Sequence, residues 1–390
     1  MKDLKKKVYS QLNTMPVEDY AKYVKEAENG YIKINKHPED ENIVILNYTE
    51  LTTFERRWNN ETMTARGLIL DLTEAKDNGI IYILAKPFEK FFNYGENLEY
   101  QEDIDFTKPP VVMEKMDGSL GISYFFDNEI RFATRGSFIS EQAIEATKIW
   151  KRNYATSFSW FTYASTPITY LVEIIYPSNR VVVDYGETRD LVLLGYIHIF
   201  KYGATRTPQN IPLREFYDAD VEDVEDEAFA LGMPVARLTE MTLEDALSLK
   251  KDIPANEEGW ILRYGNKRVK VKGDEYMTVH RITYGLSTKA KFEAWASGDL
   301  DGLIFKMPEE FREELETFGK RLDIILSQEM LYLHNTYREA RKVLAIYINK
   351  EIDKYQRGFV FGAFDFKGIN EMEVRKQIAK DYKNYLEVVE

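Results

Sequence analysis

A chain of 390 residues with 65 Asp and Glu against 52 Lys and Arg has a formal net charge of −13, which excludes non-specific coating of nucleic acid but leaves room for a local basic groove. The absence of cysteine removes disulfides, thiol nucleophiles and thiolate metal centres, and His37, His198, His280 and His334 are too scattered for a histidine metal pair. A hydrophobic fraction of 44% supplies a sizeable core, while no apolar run matches a membrane span and MKDLKKKVYSQL lacks a signal-like hydrophobic stretch, so a soluble intracellular protein is expected.

The first 40 or so residues read as helical or irregular. From Ile43 onward, IVILNY, ARGLILDLT, IIYILAKPF, PPVVMEKM, LGISYFF and EIRFATR have the β-branched and aromatic content of strands, bounded by turn residues. EQAIEATKIWKR has helical spacing, and TYLVEIIY and DLVLLGYIHIF return to buried-strand character. The acidic run YDADVEDVEDE, Tyr217 to Glu227, reads as a solvated face or loop. Thr242 with Asp245 forms a capping-box start for TLEDALSLKKD, and EEGWILRY with KRVKVKGDEY reads as a hairpin turning at Gly265 and Asn266. Strand character ends near residue 275. Beyond Lys291 the composition shifts to helix formers, with Phe311, Leu315, Phe318, Leu322 and Ile325 on one helical stripe. Further helices over LYLHNTYREARKVLAIYINKEI and NEMEVRKQIAKDYKNYLEVV flank a loop at RGFVFGAFDFKG.

Charged residues interrupt the apolar strands at a few positions. Lys115 ends VVMEKM, Glu173 breaks TYLVEIIY, Glu258 precedes GWILRY, and Lys270 and Lys272 alternate with valines. Residues i and i+2 share a strand face, so Lys270 and Lys272 project together. Taken singly, each lysine is most simply a solvated charge. Taken as a set, Lys115, Glu173, Glu258, Lys270 and Lys272 satisfy one another around a polyanion such as a nucleoside triphosphate.

The ordered segments EKMDGSLGI, TYLVEIIYPSNRVV, LVLLGYI, EEGWIL and VKVKGD resemble the motifs of covalent nucleotidyltransferases. With ARGLILDL, KPFEKFFNYGEN and TRGSFISEQA they resemble in particular the bacteriophage RNA ligase 1 family, from about Tyr48 to Lys272. That resemblance implies an α+β fold: an antiparallel-sheet nucleotidyltransferase domain of ATP-grasp-like ligase type over residues 1–285, then an all-α C-terminal domain over 286–390. It implies that Lys115 accepts AMP from ATP, and that Tyr48, Arg66, Lys90, Glu173, Glu258, Lys270 and Lys272 contact the nucleotide. Asp117, Gly118 and Arg135 support them, Arg135 standing where the family more often has lysine. Mg2+ is the implied metal, with Mn2+ as a substitute, and Asp301 is the implied metal-associated aspartate, with Asp299 as competitor. A lysine amine attacks phosphorus only as the free base, and desolvation beside other cations and a metal is the available means.

The implied activity is ATP-dependent joining of 5′-phosphate and 3′-hydroxyl ends of single-stranded RNA, with nicked tRNA in a phage-infected bacterial cytoplasm as the setting and single-stranded DNA ends as an open second substrate. Two other classes share part of the pattern: a capping-type guanylyltransferase, which would continue into a small β-barrel where this chain turns helical, and a catalytically silent nucleic-acid binding module.

Overall fold

In a computed structural model of the protein, residues 2–201, 216–277, 288–306 and 309–351 are described, together with 375, 378 and 379. The chain divides into two compact units, Met1–Thr283 and Tyr284–Glu390.

Among its described residues the first unit contains three sheets. Strands β1 (Thr14–Pro16), β2 (Ile32–Lys36), β3 (Ile43–Tyr48), β4 (Arg66–Asp71) and β5 (Ile80–Ala85) make an antiparallel sheet in the order β1-β5-β4-β3-β2. Next come β6 (Phe92–Asn93) and β7 (Val111–Glu114), followed by β8 (Ser119–Phe126), β9 (Glu129–Ala133), β10 (Ile168–Ile175) and β11 (Asp190–His198). The last four form a second antiparallel sheet, β11-β10-β8-β9. A third sheet, β12-β7-β13-β14-β6, is completed by β12 (Leu238–Thr239), β13 (Gly259–Tyr264) and β14 (Lys267–Lys272), with β6 parallel to β14.

The main core joins the first two sheets, where Leu46, Leu68, Ile83, Ile122 and Leu171 are fully or almost fully buried. Every residue of β10 is buried. That is why its sequence is an almost unbroken apolar run rather than an alternation, and why the one carboxylate within it is informative. In the third sheet, Val112, Leu262, Val269 and Val271 pack on one face, while Met113 and Ile261 on the other meet Ile175 and Val192 of the second sheet. By period-two alternation, Lys270 and Lys272 share the latter face with Ile261.

The helix Glu141–Asn153 starts at Ser140, whose side chain accepts from Ala143 N–H, and buries Ala143, Ala146, Ile149 and Trp150. The reciprocal capping box of Thr242 and Asp245 opens the helix Leu243–Leu249 as expected, and Gly265, at φ +62, turns the β13–β14 hairpin. Two expectations need correction. The opening 40 residues contain β1 and β2 as well as the helices Lys2–Gln11 and Val17–Glu28; lysines and asparagine within IKINK hide the alternation of that edge strand. Of the two readings of the acidic run, a solvated face and a loop, the loop is the one to correct: Val221–Leu231 is a helix, capped by Asp220 and ended by Gly232 at φ +71. It buries Val224, Ala228 and Leu231 and turns most of its carboxylates outward.

Asp218, just before that helix, is buried instead of solvated. It pairs with Arg268 of β14, while the Arg263 guanidinium donates to the carbonyl oxygens of Asp218 and Ala219. Arg263 and Arg268 face each other across the hairpin, so the aspartate offsets two facing cations and ties the segment to the third sheet.

The second unit is helical where described: Thr288–Ser297, Leu300–Lys306 and one continuous helix, Glu309–Glu351, where two separate stretches were read. Phe292 and Phe318 meet edge to face at 5.2 Å, Leu315, Leu322 and Ile325 are buried, and Trp295 Nε1 donates to Asp323 at 2.9 Å. The third expected helix and its preceding loop lie outside the described residues, apart from 375, 378 and 379. Among the described residues no helix is long and apolar enough to cross a membrane.

Asp218→Ala leaves the two buried arginines uncompensated and is expected to destabilise the first unit by about 3 kcal/mol. Denaturant unfolding of the full chain, followed by tryptophan fluorescence, measures this; an unchanged midpoint would mean that the pair contributes nothing net.

Candidate active site

The sequence VVME ends β7 with side chains alternating between faces, so Lys115 follows Met113 toward the face shared by the second and third sheets. Its backbone N–H donates to the Gly259 carbonyl oxygen at 2.8 Å, extending the pairing one residue beyond the strand. Gly259 lies at φ +131, and a Cβ there would approach the Val271 carbonyl oxygen to 2.2 Å. Only glycine allows β13 to begin this close to β14, and that closeness delivers Glu258 to Lys115.

Lys115 Nζ lies 2.6 Å from Glu258 Oε2, and Lys272 Nζ lies 2.9 Å from Oε1 of the same carboxylate. The glutamate is 3% exposed and Lys115 22%, so the nucleophile candidate keeps access to solvent above a buried anion. Burial pushes the Glu258 carboxyl upward, but Lys115 and Lys272 more than offset this and hold it below the usual carboxylate range. Glu173, on β10 opposite Leu120, shows the reverse balance. Burial pushes it up to about 8, against the opposing pull of Lys115 and of the Gly118 N–H. Two carboxyls at one site are thus driven apart in acidity, one ionised and one neutral at physiological pH.

Asp117 acts as a local tether. Its Oδ2 accepts from the backbone N–H groups of Val182 and Val183, both at 2.8 Å, and its Oδ1 accepts from Tyr276 O–H at 2.9 Å. Its own N–H donates to the Tyr185 hydroxyl at 2.9 Å. The side chain therefore fastens the 179–185 segment beneath Lys115, with no basic partner among these contacts. Gly118 is required by the protein itself: a Cβ there would come within 2.8 Å of the Ile174 carbonyl oxygen and 3.2 Å of Glu173 Cγ. The neighbour that demands this glycine is β10.

The other predicted residues fall into two groups beside this centre. Lys270 Nζ lies 5.7 Å and the Arg66 guanidinium 5.4 Å from the Phe91 ring centroid, so these two cations gather at one ring. Buried Lys90 donates to the Phe91 carbonyl oxygen at 3.0 Å and lies 3.9 Å and 5.3 Å from the ring centroids of Phe92 and Trp58. Trp58 in turn meets Tyr48 edge-on at 5.1 Å, and Arg135 donates to the Tyr48 hydroxyl at 3.2 Å. Asp301 belongs to the second unit, exposed in the first turn of Leu300–Lys306. Sequence reading missed Trp58, Phe91, Tyr185 and Tyr276. Nothing in spacing separates these four from the other aromatics of an aromatic-rich chain.

A profile of the RNA ligase family matches residues 64–276, more than half of the chain and the whole stretch from Arg66 through Tyr276. The chain belongs to the RNA ligase family. Among curated relatives, a candidate RNA ligase of Thermovibrio ammonificans is 24% identical over 204 residues, 51% of this chain and 49% of that protein. RNA ligase 1 of bacteriophage TS2126 is 32% identical over 132 residues, 28% of this chain and 31% of that protein. The chain thus spans about half, or less, of the curated relatives it matches. Among solved structures, an RNA ligase of Naegleria gruberi with ATP and Mn aligns at 13% identity and a TM-score of 0.38, over 64% of this chain and 97% of that one. An archaeal ATP-dependent RNA ligase aligns at 15% identity and 0.42, over 76% and 70%.

The raised Glu173 carboxyl generates a pH signature. An unfolded glutamate titrates near 4.5 and the folded one near 8, so the stability its neutral form contributes is whole below the unfolded value and is lost as pH rises through the folded one. Glu173→Gln, which stays neutral, is expected to gain thermal stability relative to the native chain across that window. A difference in melting temperature that stays flat from acid to mildly alkaline pH would show that folding leaves the acidity of Glu173 at its unfolded value.

Proposed function

We propose that this family member is an ATP-dependent RNA ligase working through a lysyl-AMP intermediate on Lys115. The observation that carries the reading is the sharing of one buried carboxylate, Glu258, by Lys115 and Lys272, with Glu173 near enough to feel the charges of Lys115 and Glu258. A lysine merely solvating its charge has no need of that arrangement.

In the first step Lys115 Nζ attacks the α-phosphorus of ATP. A phosphorus–nitrogen bond forms, the bond to pyrophosphate breaks, and a proton leaves Nζ along its hydrogen bond to Glu258 Oε2. Lys272 and Lys270 offset charge on the departing pyrophosphate, and Arg66 engages the nucleotide phosphate. Neutral Glu173 donates a hydrogen bond to a ribose hydroxyl, a role an ionised carboxylate could fill only as acceptor. In the second step an oxygen of an RNA 5′-phosphate attacks the AMP phosphorus, and Lys115 leaves with a proton. In the third, a 3′-hydroxyl attacks the activated 5′-phosphate, forming the phosphodiester and releasing AMP. Mg2+ would be held by Glu258 together with phosphate oxygens of the nucleotide. When bound, such an ion would neutralise charge between the phosphates.

The two domains expected from sequence then divide the labour, residues 1–285 carrying nucleotide transfer and 286–390 a helical appendage. Likeness to a phage enzyme supports RNA repair in infected bacterial cytoplasm, with nicked tRNA as a candidate substrate and single-stranded DNA ends a secondary one.

Intact-mass measurement after incubation with ATP and Mg2+ tests the reading. One AMP adduct is expected on the native chain and none on Lys115→Ala, with joining of a 5′-phosphorylated single-stranded RNA lost in parallel by at least about a hundredfold. An adduct with GTP instead of ATP would indicate a capping-type enzyme. No adduct with either nucleotide would leave a binding module.

A further inference from the structure

The N-terminal helix Lys2–Gln11 buries Val8, with Leu12 just beyond it also buried, and presents Lys5, Lys6 and Lys7 to solvent. Among the described residues none of these three lysines makes an ion pair, in a chain whose acidic side chains outnumber its basic ones by 13. Lys7 Nζ lies 4.8 Å from the ring centroid of Phe161, which is 78% exposed on the short helix Trp160–Tyr163. Lys5 Nζ lies 5.0 Å from the ring of Tyr9. Lys201, also exposed and without an ion pair among the described residues, is held beside the helix end by its N–H bond to the Gln11 carbonyl oxygen at 2.7 Å.

A large ring left almost wholly in water costs burial that a core position would gain. Exposed cations with no carboxylates placed against them repel one another across an otherwise anionic surface. Both features are explained by an anionic polymer with flat faces: phosphates for the lysines and a base to stack on Phe161. Tyr9 O–H donates to Asp71 at 2.7 Å, and the Tyr9 and Tyr82 rings meet edge-on at 5.0 Å. These contacts place the helix at the far end of β4 from Arg66, roughly 16 Å along the strand. The surface therefore lies well away from the reacting ends.

We propose that Lys5, Lys6, Lys7, Lys201 and Phe161 form an accessory surface for the body of a single-stranded RNA whose end occupies the active site. The proposal rests on the RNA ligase reading above. It concerns retention of the substrate chain and leaves the chemistry at Lys115 untouched.

The test compares the native chain with K5Q/K6Q/K7Q and with F161A. Fluorescence anisotropy measures binding of a labelled single-stranded RNA long enough to reach both places, over a range of salt. Removing three phosphate contacts is expected to lower the salt slope by about 2 and to weaken binding about tenfold at low salt. F161A is expected to weaken it about fivefold or more. AMP adduct formation with ATP alone, and joining of a dinucleotide donor too short to reach the helix, should match the native chain in both variants. Native-like affinity for the long RNA in both variants overturns the proposal, as does native-like RNA affinity accompanied by lost binding to phosphatidylserine vesicles, which would mark a membrane-facing surface. Failure of the native chain to form any AMP adduct would refute the ligase reading separately, because the binding measurement does not depend on it.

Discussion

The candidate site depends on one buried carboxylate held by two lysines. An anion as enclosed as Glu258 is tolerable only with full compensation, and Lys115 and Lys272 at 2.6 and 2.9 Å provide it from two different strands. The requirement works in both directions. The glutamate needs the cations to remain ionised, and the lysines are held at fixed positions above the junction of β7, β13 and β14 because the glutamate cannot move. Gly259 makes that junction tight, and Asp117 fixes the segment beneath it through two backbone N–H groups and a tyrosine hydroxyl.

Much of this was readable in the sequence for a physical reason. Charges inside apolar strands are costly, so Lys115, Glu173, Glu258, Lys270 and Lys272 stood out against their neighbours, and the structure brings Lys115, Glu173, Glu258 and Lys272 into one electrostatic cluster. Lys270 stands slightly apart, beside Phe91 and Arg66. The strand content from Ile43 to Lys272 was equally legible, because β-branched runs between turn residues carry their own boundaries.

What escaped reading had no local signature. Trp58, Phe91, Tyr185 and Tyr276 matter through neighbours distant in sequence, and each is one aromatic among 53. The helix within the acidic run from Tyr217 escaped because charge density hid both the apolar stripe Val224, Ala228 and Leu231 and the burial of Asp218. The short edge strand β2 was masked by its lysines and asparagine. The crowding of Gly118 against the Ile174 carbonyl oxygen on β10 is set by sheet pairing rather than by sequence proximity.

The account turns on Glu258 as the shared partner of the two lysines. Its direct test is the rate of lysyl-AMP formation, followed by intact mass with ATP and Mg2+, in Glu258→Gln beside the native chain, with circular dichroism reporting the fold. The amide keeps the size and loses the charge, so the account predicts a native-like spectrum and a rate lower by at least about a hundredfold. A folded Glu258→Gln protein that forms the adduct at the native rate would contradict it.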